Sequence, residues 1–190
     1  MQTTKNDNSV TKSIDFVTTF VVKLLRQQGS SVSTAESCTG GMLAQAITSV
    51  SGASEIFEMG VVSYSNRIKS MLLDVPEDIL LEYGAVSQQT AVLMAQGVLK
   101  KSGSDIGVGI TGIAGPTGGT KDKPVGTVYV AVVKNCDGEQ KILVRNLALY
   151  KEEKELTRDK ARELTVLKAL EMILEICEAD ERNIKDVNDE

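Results

Sequence analysis

The chain has 190 residues, 42% of them hydrophobic, which is enough for one domain built around a single sizeable core. A formal charge of -5 argues against binding to nucleic acid in bulk, which needs clustered Lys and Arg, and 4% aromatic residues without Trp removes the stacking platforms of single-strand binders. There is no histidine, and Cys38, Cys136 and Cys177 are odd in number and widely separated, so neither a disulfide framework nor a zinc site is suggested, a transition metal would lack its commonest ligand, and a metal-free, cofactor-free protein with reduced thiols in the cytoplasm is expected.

The polar start Met1 to Asp7 lacks the apolar segment of a signal peptide, and no run approaches the roughly 20 apolar residues that cross a bilayer, so no membrane partner is expected. Residues 1–12 read as a flexible N-terminus. Ile14, Val17, Phe20, Val21, Leu24 and Leu25 then recur at helical spacing until Gly29. Ser31 to Glu36 reads as a short strand, and Thr39 to Val50 as a helix with Leu43, Ala46, Ile47 and Val50 on one face. Gly60 to Ser65 is strand-like and runs into a helix through Leu73, with Asn66 as its expected N-cap.

Pro76 and Gly84 bracket a short helix, and Ser87 opens a longer one that Gly103 ends. Asp105 to Thr111 is an apolar strand, followed by a Gly-, Pro- and Lys-rich stretch from Gly112 to Gly126. Thr127 to Val133 and Lys141 to Leu149 read as strands of a hairpin turning at Asp137-Gly138. A last helix carries Leu156, Ala161, Leu164, Leu167, Leu170, Ile173 and Leu174, and residues 178–190 read as an acidic, fraying tail. A single domain over residues 13–177 follows. Strands that alternate with helices and finish in a hairpin predict a three-layer α/β/α sandwich with a mixed, largely parallel sheet of about five strands. Ligands of such sheets bind beyond the carboxyl ends of the strands, where Ser37, Tyr64 and Thr111 are all expected.

Ala35-Glu36-Ser37-Cys38-Thr39-Gly40-Gly41 puts a hydroxyl at a strand-to-helix junction, beside N–H groups suited to an oxyanion or phosphate. Two readings stand here: Ser37 caps the helix, or it is a nucleophile, and without histidine its base would have to be a lysine. Lys69, in the first turn of its helix beside Arg67, faces a positive dipole end that disfavours the ammonium, so it reads as either a general base or a solvated surface lysine. Tyr64 is either a proton relay or a half-buried strand aromatic. The loop Thr111 to Pro124, with Lys121 and Lys123, would suit an anion, or is a plain connector. Gly107 to Gly112 matches G-x-G-x-x-G, but it lies within a strand and leads into a loop, so a dinucleotide site is rejected, and no P-loop motif occurs.

Thr34 to Gly41, Tyr64-Ser65-Asn66 with Lys69, Gly84-Ala85-Val86-Ser87, Gly112-Ile113-Ala114-Gly115-Pro116 and Lys123 to Val128 together resemble the CinA C-terminal domain family, from about Phe16 to Leu174. The resemblance implies a stand-alone nicotinamide-nucleotide amidohydrolase that converts nicotinamide mononucleotide to nicotinate mononucleotide and ammonia. It implies Ser37 as nucleophile with Lys69 and Tyr64 assisting proton transfer. It also implies a mononucleotide site drawn from Thr39, Gly40, Gly41, Thr111, Gly112, Gly115, Lys123 and Arg158, and it suggests a homo-oligomer. The alternative is a non-catalytic nucleotide-binding or interaction module associated with competence or DNA damage. Before the last helix the family commonly has Gly-Asp/Asn-Arg-x-x-Val/Ile-Arg, whereas Glu152 and Lys154 stand at its glycine and first arginine and only Arg158 is kept. A lysine lacks the bidentate fork of arginine, which bears on substrate affinity.

Overall fold

A computed structural model describes residues 7–136, 138–153 and 155–188. It contains five strands, β1 (Val32–Glu36), β2 (Phe57–Val62), β3 (Ile106–Gly112), β4 (Val128–Cys136) and β5 (Glu139–Asn146), in the order β2-β1-β3-β4-β5. The first three are mutually parallel, and β4 and β5 each pair antiparallel with their neighbour. Helices α1 (Asp7–Gln28), α2 (Met42–Thr48) and α6 (Arg158–Asn188) share one core with Val32, Ile106, Val108, Ile110, Val128, Val130 and Val132. On the other face, α3 (Asn66–Leu73), α4 (Glu77–Glu82) and α5 (Gln88–Ser102) pack against Ala35, Ala131 and Val133. This is the mixed, three-layer α/β/α architecture that the alternation of strand and helix patterns predicts. Among the described residues no helix is long and apolar enough to cross a membrane.

Sequence chemistry sets the element ends. Ser87 accepts a hydrogen bond from Thr90 N (3.2 Å) at the start of α5, and Gly103, at φ 73°, stops it. Ser65, one residue before the expected Asn66, caps α3 by accepting from Ile68 N. Helix α2 starts at Met42 instead of Thr39, because Gly40 and Gly41 adopt left-handed conformations (φ 63° and 94°) that no helix interior holds. Strand β2 lies three residues earlier than the apolar run Gly60-Val61-Val62 suggests, since it is an edge strand with alternating burial and the pattern there is diluted. Strand β5 stops at Asn146, and Leu149–Lys151 turn into a 3-10 segment.

Helix α1 already begins at Asp7, within the stretch read as flexible, because Val10 extends the stripe of Ile14, Val17 and Val21 onto the core. Residues 1–6 lie outside the described residues. At the other end the α6 backbone continues past Glu178 to Asn188 with no Gly or Pro to interrupt it. Asp137, half of the expected hairpin signal, and Lys154 also lie outside the described residues, but the β4–β5 hairpin itself is present, with Gly138 at φ 90°.

Strand β3 shows how the repeated glycines are used. Ile106, Val108 and Ile110 point to the α1/α6 face, and Gly107 and Gly109 to α5. A Cβ on Gly109 would sit 2.1 Å from Ala91 O and 2.7 Å from Ala95 N, so the helix rests on bare strand backbone. The G-x-G-x-x-G match is therefore a packing device, followed by a loop and an antiparallel strand. Helix α2 leaves β1 over one face toward β2, and α3 to α5 return over the other to β3. A crevice consequently opens at the carboxyl ends of β1 and β3. Gly109→Ala should lower stability by about 3 kcal/mol through this clash, read as a shifted midpoint in urea unfolding.

Candidate active site

Ser37 follows the last residue of β1, and its N–H donates to Ile110 O of β3 (3.0 Å), which fixes it at the sheet's end. The turn to α2 is closed by Glu36, a fully buried carboxylate that accepts from the N–H groups of Gly41 (3.0 Å), Leu43 (3.1 Å) and Ala44 (2.9 Å). Within the turn Gly40 N donates to Ser37 O (3.1 Å), and Met42 N donates to Thr39 O (3.3 Å). The anion-attracting helix start is thus occupied by the chain's own carboxylate. The N–H groups of Cys38 and Thr39 are accepted by no other described residue.

Lys69, the fourth residue of α3, is 1% exposed and brings Nζ 3.2 Å from Ser37 Oγ and 2.6 Å from the Ser63 carbonyl, to which it donates. Among the described residues no carboxylate forms an ion pair with it. Burial pushes its pKa from 10.5 down to about 8, so desolvation, more than the helix dipole or Arg67, disfavours the ammonium. As a neutral amine, Lys69 can keep one N–H on Ser63 O while its lone pair accepts the Ser37 proton. Cys38 beside Ser37 has no nucleophilic thiolate: burial pushes its thiol up to about 12, so it stays protonated.

These groups line a cavity of about 270 Å³ at the crevice. Tyr64 and Arg158 stand at its rim, Ala85 and Val86 form one wall, and Thr111 to Gly115 with Thr117 and Gly118 form the other. The Tyr64 side chain is exposed, and its hydroxyl accepts from Arg158 Nη2 (3.3 Å), whose Nη1 donates to Gly115 O (2.8 Å). Among the described residues Tyr64 makes no hydrogen bond to Ser37 or Lys69. Thr111 Oγ1 donates to Ala85 O (2.7 Å), tying the two walls together.

The CinA C-terminal domain family matches residues 14–177. This chain belongs to that family. The CinA-like protein of Geotalea uraniireducens is 55% identical over 116 residues, 61% of this chain and 28% of that protein. The CinA-like protein of Cytophaga hutchinsonii is 50% identical over 129 residues, 68% of this chain and 30% of that protein. The chain therefore spans about a third of the length of the curated relatives it matches. Among solved structures, the competence/damage inducible protein CihA from Agrobacterium tumefaciens aligns with TM-score 0.77 and 36% identity, over 92% of this chain and 98% of that one. A CinA superfamily protein from Klebsiella pneumoniae aligns with TM-score 0.77 and 30% identity, over 87% and 98%.

Of the CinA motif residues, Ser37, Lys69, Tyr64, Thr111, Gly112, Gly115 and Arg158 meet at one cavity. Thr39, Gly40, Gly41 and Lys123 are not among its lining residues. Thr39 is buried, its carbonyl accepting from Arg162 (2.9 and 3.3 Å), and the N–H groups of Gly40 and Gly41 are engaged within the turn. Lys123 Nζ donates to Tyr83 O (2.9 Å) and Val86 O (2.8 Å), pinning the Gly-rich loop to the opposite wall. Sequence reading missed the buried carboxylate of Glu36, the Ser63 carbonyl and Arg162. The acidic residue directly before Ser37 was the available signal for the first. The other two act through three-dimensional neighbours with no spacing rule.

A buried ammonium is costly in the folded state, and Lys69 holds a proton less tightly when folded than unfolded. Between about pH 8 and 10.5 the unfolded chain binds the extra proton, so this site's contribution to stability rises with pH across that window. Lys69→Met should therefore melt higher than the native protein at pH 7, the gap narrowing as pH rises above about 8, in a series of thermal unfolding scans.

Proposed function

We propose that this chain hydrolyses the carboxamide of nicotinamide mononucleotide to nicotinate mononucleotide and ammonia. The reading rests foremost on one observation, the buried lysine amine 3.2 Å from a serine hydroxyl in a cavity at the sheet's carboxyl end. Neutral Lys69 takes the Ser37 proton as Oγ bonds to the carboxamide carbon, and the carbonyl electron pair moves to oxygen. That oxyanion meets the N–H of Cys38, which lines the cavity and which no other described residue accepts. Collapse breaks the carbon–nitrogen bond, Lys69 returns its proton to the departing amide nitrogen, and ammonia leaves. Water, deprotonated by Lys69, then attacks the acyl-serine; as the ester carbon–oxygen bond breaks, Lys69 returns that proton to Ser37 Oγ, and the freed acid ionises to the carboxylate.

With Lys69 neutral, the cavity's lining residues still carry one cation, Arg158, and no carboxylate, which suits a substrate bearing phosphate. Arg158 at the rim is the group to meet it. Because only neutral Lys69 accepts the proton, kcat/KM for ammonia release should climb about tenfold per pH unit in acid and level off above about pH 8. Ser37→Ala should reduce kcat at least about a thousandfold while mononucleotide binding by calorimetry persists. Binding without turnover in the native protein, or full turnover in Ser37→Ala, overturns the assignment.

A further inference from the structure

Helix α6 contributes two arginines four residues apart, and they do different things. Arg158 faces the cavity rim. Arg162 lies behind the Ser37 turn, away from the cavity, with Nη2 2.9 Å and Nε 3.3 Å from one acceptor, the Thr39 carbonyl. The peptide unit it grips runs from Thr39 to Gly40, and the N–H of that same unit donates to Ser37 O (3.1 Å). One planar group is therefore held at both ends, by a guanidinium on its oxygen and by the nucleophile's own carbonyl on its nitrogen. Gly40, at φ 63°, takes the left-handed conformation this demands, and a Cβ there would lie 3.7 Å from Arg162 Nη2. Glu36 pins the downstream end of the turn through Gly41, Leu43 and Ala44.

We propose that Arg162 is a positioning residue: by clamping the Thr39–Gly40 peptide from behind, it sets the turn that directs Ser37 Oγ at the reacting carbon and the Cys38 N–H at the carbonyl oxygen. It touches no substrate. The inference rests on the amidase reading for its substrate but not for its geometry. Placement errors near 1 Å reduce rates by about a hundredfold, whereas binding contacts made elsewhere are untouched, so the effect belongs in kcat and not in KM.

The test compares native protein, Arg162→Ala and Arg162→Lys by ammonia release from nicotinamide mononucleotide and by the rate at which a fluorophosphonate modifies Ser37, followed by intact mass. As Ser37 Oγ bonds to phosphorus and fluoride leaves, that probe's phosphoryl oxygen uses the same donor, and the reaction needs no nucleotide. Arg162→Ala should lose about tenfold or more in both kcat and labelling rate, with KM changed less than about twofold. Guanidinium ion at millimolar, non-denaturing concentration should restore part of the loss, and Arg162→Lys, with one charge but no fork, should fall between. A purely structural role would lower the melting temperature without either rescue or a kcat-specific loss. If Arg162→Ala fails to fold, Arg162→Lys carries the comparison. Equal labelling of all three proteins overturns the positioning role alone. Labelling without ammonia release overturns the substrate reading alone, the variants still being compared by label. Native protein unlabelled at Ser37 overturns both.

Discussion

A lysine amine held out of water between a serine hydroxyl and a main-chain carbonyl is the constraint around which the CinA fold is arranged here. Burying an ammonium without a carboxylate partner is unfavourable, and the amine responds by giving up its proton more readily. That response depends on α3 being pressed against the sheet end, which depends in turn on the close seating of α5. Gly97 of α5 faces Leu73 O at a distance that leaves no room for a Cβ, and Gly107 and Gly109 of β3 do the same on the opposite side of that helix. Packing density on one face of the sheet thereby sets the proton affinity of a group at its end.

Ser37 is held by an independent set of contacts. Its turn is fastened on the α2 side by the buried Glu36 carboxylate and on the α6 side by the Arg162 guanidinium. Lys69 and Ser37 thus belong to opposite layers of the sandwich, α3 on one face and α2 on the other, and they meet because β1 lies at the point where the chain reverses its winding. The topology supplies the meeting place, and local hydrogen bonds supply the aim.

Much of this was legible in the sequence. Regular hydrophobic spacing marked the long helices, the alternation of element types marked the layered sheet, and missing histidine directed attention to Lys69. What was not legible shares one physical origin. The helix-start glycines suggested a free anion site, but the carboxylate directly before Ser37 fills it, and only backbone geometry reveals which N–H groups remain. Lys123 read as a ligand of anions because cations usually are; folded, it bridges two carbonyls instead. Edge strand β2 was displaced because half-exposed strands carry a weaker pattern, and α1 was read too short because a single residue, Val10, carries its first turns onto the core.

The neighbour of the serine has a consequence for the chemistry the site resists. With its thiol pushed up by burial, Cys38 stays protonated at pH 7, and peroxides and alkylating agents react with the thiolate. A sulfur atom in the cavity wall would ordinarily be the first casualty of oxidative stress. Here the same dehydration that lowers the lysine's proton affinity raises the cysteine's, so one dry environment loosens a proton on one neighbour of Ser37 and holds it on the other.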